Sequence, residues 1–429
     1  MLIDDLNPAQ REAAAHINGP LLILAGAGSG KTRTITYRIA HMISVMGIDP
    51  HHILGVTFTN KAATEMRERV AALISKRQRK NLTLCTFHSL GIKILKEEIH
   101  HLGYKKKFAI FDQSDQISLI RETLRSFHGE KKDLDRKIIL AKISFLKNKN
   151  ISPEDFMHSS YFDPTNAYDD ATNYVYTRYQ KRLLFYNAID FDDILFMTAK
   201  IFSLHPEVAE KYSKKYQYIM VDEYQDTNDL QFKIISYLTC SHQNICAVGD
   251  DDQGIYAFRG ANITNILEFE KTFHFAKIVK LEQNYRSTNH ILNLANEVIK
   301  HNKHRKEKTM WSHNHSGELP LLWLCQDDDH EGALIADDIN ALQNKGIALS
   351  EVAILFRSAR QIPALEDHMR MGQIPYTVIG GQKFYEKKEI KDLIAYLCVI
   401  DNPENELSLR RVINTPPRGI GLTTLKHLL

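Results

Sequence analysis

"LLILAGAGSGKTRTIT", Leu21 to Thr36, passes from an apolar run through a glycine-rich turn into a segment with helical spacing. Ile35, Ile39 and Ile43 recur at the period of an α-helix, and Gly47 marks its end. The stretch therefore predicts a buried strand, a tight loop and an amphipathic helix in direct succession. That order is typical of an α/β fold built on a parallel sheet.

The glycine-rich turn has the pattern of a phosphate-binding P-loop, with Ala25 where the strict form has its first glycine. Its backbone N–H groups would point at phosphates, with the positive end of the helix dipole behind them. Lys31 would reach the terminal phosphates, and the Thr32 hydroxyl would ligate Mg²⁺. Arg33 fits either a nucleotide contact or an ordinary first-turn helix residue. The residues predicted to contact nucleotide here are Ala25, Gly26, Ala27, Gly28, Ser29, Gly30, Lys31, Thr32 and Arg33.

An acidic pair follows a second apolar run, in "YQYIMVDEYQDTN" from Tyr216 to Asn228. Asp222 at the strand end can hold Mg²⁺, and Glu223 can orient or deprotonate an attacking water. Adjacent residues point opposite ways along a strand, but a turn at its end can bring both carboxylates to one site. Because ligands bind at the carboxyl ends of strands in such sheets, we expect this pair to lie near Lys31.

A third stretch, "GDDDQGIYAFRGAN" from Gly249 to Asn262, joins three adjacent aspartates to two aromatic rings and an arginine. A core strand would not tolerate the aspartates, because burying unpaired charge is costly. Aromatic rings suit single-stranded nucleic acid, since stacking contributes about 1–3 kcal/mol per base without demanding sequence. Alternatively, Tyr256 and Phe258 are core aromatics on one face of a strand, which their i, i+2 spacing also fits.

The composition is that of an ordinary globular protein, with 429 residues, 43% hydrophobic and 25% charged, and a net charge of +3. Basic runs such as 301–308 fit solvated faces as well as binding patches. The histidines of 301–315 lack partners at ligand spacing, which argues against zinc. The five cysteines form no C-x-x-C pair, no signal peptide is evident, and no apolar run reaches the roughly 18 residues of a membrane span. We therefore expect a cytoplasmic protein without a membrane partner.

Six motifs occur in the order and spacing of a known family: "AGAGSGKT", "TFTNKAA", "TFHS", "VDEYQDTN", "GDDDQGIYAFRGA" and "LEQNYRS". They resemble the first half of the Rep/UvrD/PcrA group of superfamily-one DNA helicases. The resemblance runs from Leu6 to the last residue, and stretches such as "NTPPRGIG" look closest to Rep. It implies an ATP- and Mg²⁺-dependent 3′-to-5′ DNA helicase or translocase, acting on single-stranded DNA and single/double-strand junctions in replication or repair.

The expected architecture follows from the patterns and from this resemblance. A P-loop NTPase (RecA-like) motor domain with a parallel sheet would span 1–110 plus 190–280. An all-helical insert is predicted at 111–189, where the pattern turns helical. An incomplete second RecA-like domain would follow at 281–383, with strands at "LPLLWLC" and "EVAILFRS". Residues 384–429 would begin a second helical insert.

The resemblance also implies individual roles. Gln10 resembles the glutamine that reads the adenine edge, and Tyr285 the ring that stacks on the base. Gln253 resembles the sensor of the γ-phosphate, and Arg286 the arginine that reaches it from the second motor domain. For His88 alone, a satisfied strand-end histidine is the alternative. The residues implied to face DNA are Phe58, Asn60, Thr86, His88, Tyr256, Phe258 and Arg259.

The final stretch, "RRVINTPPRGIGLTTLKHLL", resembles the interior of the second helical insert of the family. Later family motifs have no match here, so we expect a C-terminal truncation. Two functions stay open. One is a motor that needs the missing segment for activity, and the other is a fragment that binds ATP and single-stranded DNA without unwinding activity of its own. The sequence leaves the oligomeric state and the partner proteins open.

Overall fold

The computed structural model describes residues 2–127, 134–379, 388–401, 406–421 and 424. The chain forms two compact units, Met1–Pro320 and Leu321–Leu429. The first unit includes residues 281–320, which the sequence analysis placed in the second motor domain. The domain boundaries given above stay predictions. Among the described residues, no helix combines the length and the apolar character that a membrane span requires.

A parallel sheet forms the centre of the first unit. The strands of this unit are β1 (Leu21–Ala25), β2 (Ile53–Thr57), β3 (Thr83–Thr86), β4 (Ala109–Phe111), β5 (Ala188–Asp190), β6 (Tyr218–Val221), β7 (Ile245–Gly249) and β8 (Lys277–Leu281). Within the described residues, six of them pair in the order β3-β2-β6-β7-β1-β8. Leu21 in β1 lies opposite both Cys246 and Lys277. The strand before the P-loop is therefore an inner strand of the sheet. Its carboxyl end, where ligands bind in such sheets, lies between the strands β7 and β8.

Helices cover both faces of this sheet. The helices of the first unit are α1 (Pro8–Ala15), α2 (Lys31–Ser44), α3 (Asn60–Leu73), α4 (Phe87–Glu98), α5 (Gln113–Leu124), α6 (Arg136–Asn148), α7 (Pro153–Phe156), α8 (Ala167–Phe185), α9 (Asp193–Leu204), α10 (Pro206–Lys215), α11 (Asp229–Thr239), α12 (Thr264–Leu267), α13 (Phe269–Thr272) and α14 (Asn289–Ile299). Leu22 and Leu24 pack in one core with α4, α9 and α11, whereas Leu21 and Ile23 pack in another with α2 and α3. Burial on both faces explains why β1 reads as an uninterrupted apolar run.

The insert between β4 and β5 has a core of its own, in which Phe156, Tyr176 and Tyr179 are fully buried. Ser152 caps α7, since its side chain accepts a hydrogen bond from the Asp155 N–H. The prediction of an all-helical insert is wrong at its two ends, because β4 and β5 pair in parallel there. The segments by which the chain enters and leaves the insert, β4 and β5, lie next to each other, so their backbone N–H and C=O groups hydrogen-bond to each other.

A buried ion cluster fixes the base of the insert. The Lys147 ammonium is fully buried and lies 2.6 Å from Asp190 Oδ2 and 2.7 Å from Asp193 Oδ1. The Tyr179 hydroxyl donates to the same Asp190 oxygen at 2.8 Å. These contacts tie α6 and α8 to the chain that returns to the sheet through β5.

The second unit, over its described residues, is helical. Its helices are α15 (Asp328–Asn344), α16 (Ile362–Met371), α17 (Lys388–Asp401) and α18 (Glu406–Val412). The strands predicted at 319–325 and 351–358 are wrong, because neither segment is assigned to a strand. Leu322 is 85% exposed and Leu355 is 93% exposed. A strand requires a neighbour that completes its backbone hydrogen bonds, and the described residues supply none to these segments. The predicted α/β class is confirmed by the parallel sheet of the first unit.

Candidate nucleotide site and DNA-facing surface

The P-loop lies between β1 and α2 and turns through two left-handed glycines. Gly28 has φ +71° and Gly30 has φ +86°, backbone angles that glycine adopts without steric cost. The loop is closed by Ser29, whose hydroxyl donates to the Gly26 carbonyl at 2.7 Å. Among the described residues, no side chain caps α2 at Gly30. The first N–H groups of α2 are therefore available to bind an anion, and the positive end of the helix dipole also favours negative charge there.

The predicted acidic pair follows β6 and faces this loop. Glu223 has φ +51°, so the chain turns sharply directly after Asp222. The turn brings Glu223 Oε2 to 3.1 Å from Lys31 Nζ. Gln225 Nε2 donates to the same carboxylate oxygen at 2.8 Å. The structure thus brings together a lysine and a carboxylate that the sequence places after two separate strands.

The carboxylates around this pair bind protons unusually tightly. Burial raises the pKa of Asp222 to about 7, helped by the neighbouring Glu223 charge and opposed by Lys31. Burial and Glu223 also raise the pKa of Asp226 to about 6. Neighbouring carboxylates whose negative charges are not fully balanced by nearby cations favour binding of a hard divalent cation, which prefers oxygen ligands. The residues present therefore fit Mg²⁺, and Asp222 and the hydroxyl of Thr32, at the start of α2, stay its predicted ligands.

The residues predicted to contact adenine lie on the other flank of the loop. Gln10 is buried in α1 and its Nε2 donates to the Ser29 carbonyl at 2.8 Å. Asn7, which sequence reasoning missed, caps α1 and donates from Nδ2 to the Tyr285 hydroxyl at 2.8 Å. The signal for Asn7 was its place directly before proline, three residues from Gln10, as in a capping box. Half of the Tyr285 side chain stays exposed, at 51%.

Arg286 lies directly over the phosphate-binding turn. A Cβ added at Gly28 would lie 2.7 Å from the Cβ of Arg286. The backbone of this segment is held on the loop, because the Tyr285 N–H donates to the Gly28 carbonyl at 2.9 Å. Asn284 Nδ2 donates to the Ala27 carbonyl at 2.6 Å. The arginine is exposed, and its contact with the γ-phosphate stays a prediction.

Arg33 makes its contacts away from the loop. Its guanidinium donates to the Asp5 carbonyl at 3.1 Å and lies over the Tyr37 ring at 5.3 Å. These partners precede α1 or lie one turn further along α2. They agree with the helix-start alternative, while a nucleotide contact by Arg33 stays a prediction.

Gln253 connects to Glu223 through a series of hydrogen bonds. Its Nε2 donates to Asp250 Oδ2 at 2.6 Å. The Asp250 N–H donates to Gln225 Oε1 at 3.0 Å, and Gln225 in turn donates to Glu223. Because Glu223 is paired with Lys31, one series of side chains joins Gln253 to the P-loop.

The aromatic residues form a stacked surface instead of a buried strand. The rings of Phe58 and Tyr256 stack with centroids 5.7 Å apart, and Phe258 lies 6.1 Å from Tyr256. Residues Ala257–Arg259 form a 3-10 turn, and Phe258 is 67% exposed. The alternative of core aromatics on a strand is therefore wrong. The side chain of Arg259 lies outside the described part of the chain.

The remaining residues predicted to face DNA follow β2 and β3. Thr86 caps α4 by accepting a hydrogen bond from the Ser89 N–H at 3.2 Å, and Asn60 is the exposed first residue of α3. The His88 ring stacks on Phe191 with centroids 4.0 Å apart, and Phe191 is 56% exposed. Sequence reasoning missed Phe191, although an aromatic residue among acids directly after a strand was a usable signal.

Two family models match the chain. The UvrD/REP helicase N-terminal domain matches residues 6–274, and the UvrD-like helicase C-terminal domain matches residues 279–429. The chain belongs to the UvrD/Rep helicase family. The family predicted from the six motifs is thereby confirmed.

UvrD/Rep-family relatives named ATP-dependent DNA helicase PcrA align with the whole chain. The relative from Bacillus subtilis is 43% identical over 428 residues, and those from Staphylococcus epidermidis and Staphylococcus aureus are 43% and 42% identical over 427 residues. Each alignment covers 100% of this chain but 57% or 58% of the relative. The chain thus spans little more than half the length of these relatives. A closest resemblance to Rep stays a prediction.

His88, which is predicted to face DNA, carries no charge near neutral pH because its pKa is lowered. Burial lowers the pKa of His88 to about 4, so the ring is neutral from about pH 6 to 8, where an ordinary histidine loses its proton. We expect His88→Gln to leave the pH dependence of oligonucleotide affinity unchanged over this range. Fluorescence anisotropy titrations of both proteins test this. A rise in affinity at low pH that disappears in His88→Gln would show a charged ring.

Proposed function

We propose that the chain binds ATP and Mg²⁺ at the P-loop and hydrolyses ATP while it moves along single-stranded DNA. The observation that carries the proposal is the hydrogen-bonded series from the Lys31–Glu223 pair to Asp250. Asp250 begins the loop that continues to the exposed ring of Phe258. A series of hydrogen bonds from Lys31 to Asp250, and then the chain from Asp250 to Phe258, therefore connect the proposed nucleotide site to the surface suited to bases.

The proposed chemistry assigns each side chain one task. Lys31 binds the terminal phosphates, and Arg286 stabilises the charge that develops on them. Glu223 orients the attacking water and accepts its proton. Asp222 and Thr32 would hold Mg²⁺, which neutralises phosphate charge when it is bound. The pair between Lys31 and Glu223, 3.1 Å apart, is replaced by contacts to phosphate and water once nucleotide enters.

The proposed movement is 3′-to-5′ along the strand, with separation of duplex at single/double-strand junctions. Membership in the UvrD/Rep helicase family supports this direction and substrate. Exposed rings suit translocation because every base has a π-face, so stacking tolerates any sequence. The role in replication or repair and the cytoplasmic location are part of the same proposal.

Steady-state ATP hydrolysis with and without a single-stranded oligonucleotide tests the function. We expect DNA to stimulate turnover, and the stimulation to weaken between low and physiological salt because phosphate contacts release counterions. A strand-displacement assay on duplexes with 3′ or 5′ single-stranded tails tests direction and unwinding. Tight binding of both ligands without stimulated turnover would instead support the alternative of a binding fragment.

Removal of one exposed ring tests the DNA-facing surface. We expect Phe258→Ala to weaken oligonucleotide binding by about 1–3 kcal/mol, the contribution of one stacked base. Phe275→Ala is the matched control, because Phe275 is fully exposed and lies before β8, at the opposite edge of the sheet. Anisotropy with a labelled oligonucleotide measures both affinities. Equal affinities of the two variants would exclude Phe258 as a stacking residue.

A further inference from the structure

Three consecutive aspartates surround one lysine from a distant part of the chain. Lys308 Nζ lies 2.9 Å from Asp250 Oδ1, 2.6 Å from Asp251 Oδ1 and 2.7 Å from Asp252 Oδ2. The Lys308 side chain is only 2% exposed. The carboxylates are close enough together to hold a cation, and the ammonium group of Lys308 occupies that position.

The neighbouring residues of Lys308 strengthen the same contact. Arg305 binds Asp252 through two hydrogen bonds, from Nε and Nη2, each 2.8 Å long. The Lys306 N–H donates to Asp251 Oδ2 at 2.7 Å. Bidentate and charge-assisted bonds of this kind fix the orientation of both partners. Residues 305–308 therefore hold the loop 250–252 from one side.

This loop carries the predicted γ-phosphate sensor. Asp250, one of the three carboxylates on Lys308, also accepts the hydrogen bond of Gln253 through Oδ2 at 2.6 Å. Its N–H donates to Gln225, which donates to Glu223. Two hydrogen-bonding residues, Asp250 and Gln225, thus lie between the Lys308 ammonium and Glu223, the proposed general base.

The same segment of chain also reaches the P-loop. Asn284 donates to the Ala27 carbonyl, and the Tyr285 N–H donates to the Gly28 carbonyl. Arg286 follows directly. The segment from 284 to 308 therefore contacts the nucleotide site at two places, at the phosphate-binding turn and, through Lys308, at the loop of Gln253.

Stability alone is a weak explanation for such a cluster. Buried ion pairs are often replaced by apolar residues without loss of stability, because desolvation offsets their attraction. Their better-attested use is to fix one arrangement among several. The three carboxylates raise the pKa of Lys308 against the effect of its burial, so the lysine stays charged.

We propose that Lys308, assisted by Arg305, is a positioning residue that holds the loop 250–253 so that Gln253 and Glu223 face the nucleotide. The inference rests on the proposed ATP hydrolysis. Lys308 itself touches neither the P-loop nor the predicted Mg²⁺ ligands in any contact of the described residues. Its removal should therefore impair turnover more than nucleotide binding.

The test is Lys308→Met in the 429-residue chain. We expect kcat for ATP at saturating oligonucleotide to fall by about 10-fold to 100-fold, the order that small misplacements of catalytic groups produce. The dissociation constant of a fluorescent ATP analogue should change less than about threefold, since Lys31 and the glycine turn are intact. Hydrogen exchange should become faster in peptides that cover 249–256. Lys308→Arg, which restores the charge, should recover part of kcat.

The matched control is Lys303→Met, because Lys303 is exposed in the same segment and loses the same charge. If a thermal unfolding measurement shows that Lys308→Met is not folded, the same assays are made on Arg305→Met instead. Arg305 lies at the rim of the cluster, with 13% of its side chain exposed. Unchanged kcat and unchanged exchange in a folded Lys308 or Arg305 variant would overturn the proposal, as would a loss confined to KM. If the parent chain hydrolyses no ATP, the proposed function fails, and exchange in 249–256 alone decides whether Lys308 positions the loop.

Discussion

Lys31→Ala lowers the rate of ATP hydrolysis by about 10²-fold to 10³-fold, the order expected when one donor to developing charge is removed. The ammonium group stands at the start of α2, where the helix dipole already favours phosphate. It is also the cation paired with Glu223, at 3.1 Å. Its positive charge lowers the pKa of Asp222, so the variant holds the proton on that carboxyl more tightly as well. Steady-state phosphate release measures the loss.

The control for this change is Lys76→Ala, because Lys76 is exposed beyond the end of α3. It removes the same charge from the chain without touching the loop. Near-normal turnover by Lys31→Ala would show that the glycine-rich turn is not the site of hydrolysis. A loss of turnover in both variants would point to a general effect of charge on DNA binding, which higher salt would reveal.

The nucleotide site was largely predictable because its signals are local. The P-loop pattern needs only a strand, a glycine-rich turn and a helix in succession, and β1 and α2 supply them. The acidic pair needs only a strand end, and the left-handed turn at Glu223 then brings it to Lys31. Parallel strands bring their carboxyl ends to one edge of the sheet, so separate local signals converged.

Contacts between distant segments were not predictable in the same way. Lys308 and Asp251 are 57 residues apart, and Asn7 and Tyr285 are 278 apart, so no local period relates them. The pairing of β4 with β5 likewise depends on where the insert enters and leaves. An apolar run such as 319–325 indicates strand propensity, but a strand also needs a partner, which the run itself does not specify.

Glu223→Gln lowers kcat by about 10²-fold to 10⁴-fold, the usual contribution of a positioned general base. The amide keeps the shape of the side chain, and its nitrogen or oxygen can still hydrogen-bond to Gln225. It accepts no proton from water, and it no longer pairs as an anion with Lys31. Because the lysine and the glycine turn are unchanged, we expect ATP to bind at least as tightly as in the parent. Single-turnover hydrolysis and binding of a fluorescent ATP analogue separate the two effects.

Comparison of the two active-site variants tests whether Lys31 and Glu223 act in one step. If they do, the double variant should be little slower than the slower single variant, since residues that act as a unit are strongly non-additive. Glu210→Gln is the control, because Glu210 is exposed on α10 and forms a surface ion pair with Lys214. A Glu223→Gln chain that loses ATP binding but keeps kcat would assign this carboxylate to holding the nucleotide complex. A Glu223→Gln chain that still binds ATP but has a lowered kcat would show that this carboxylate acts on the attacking water.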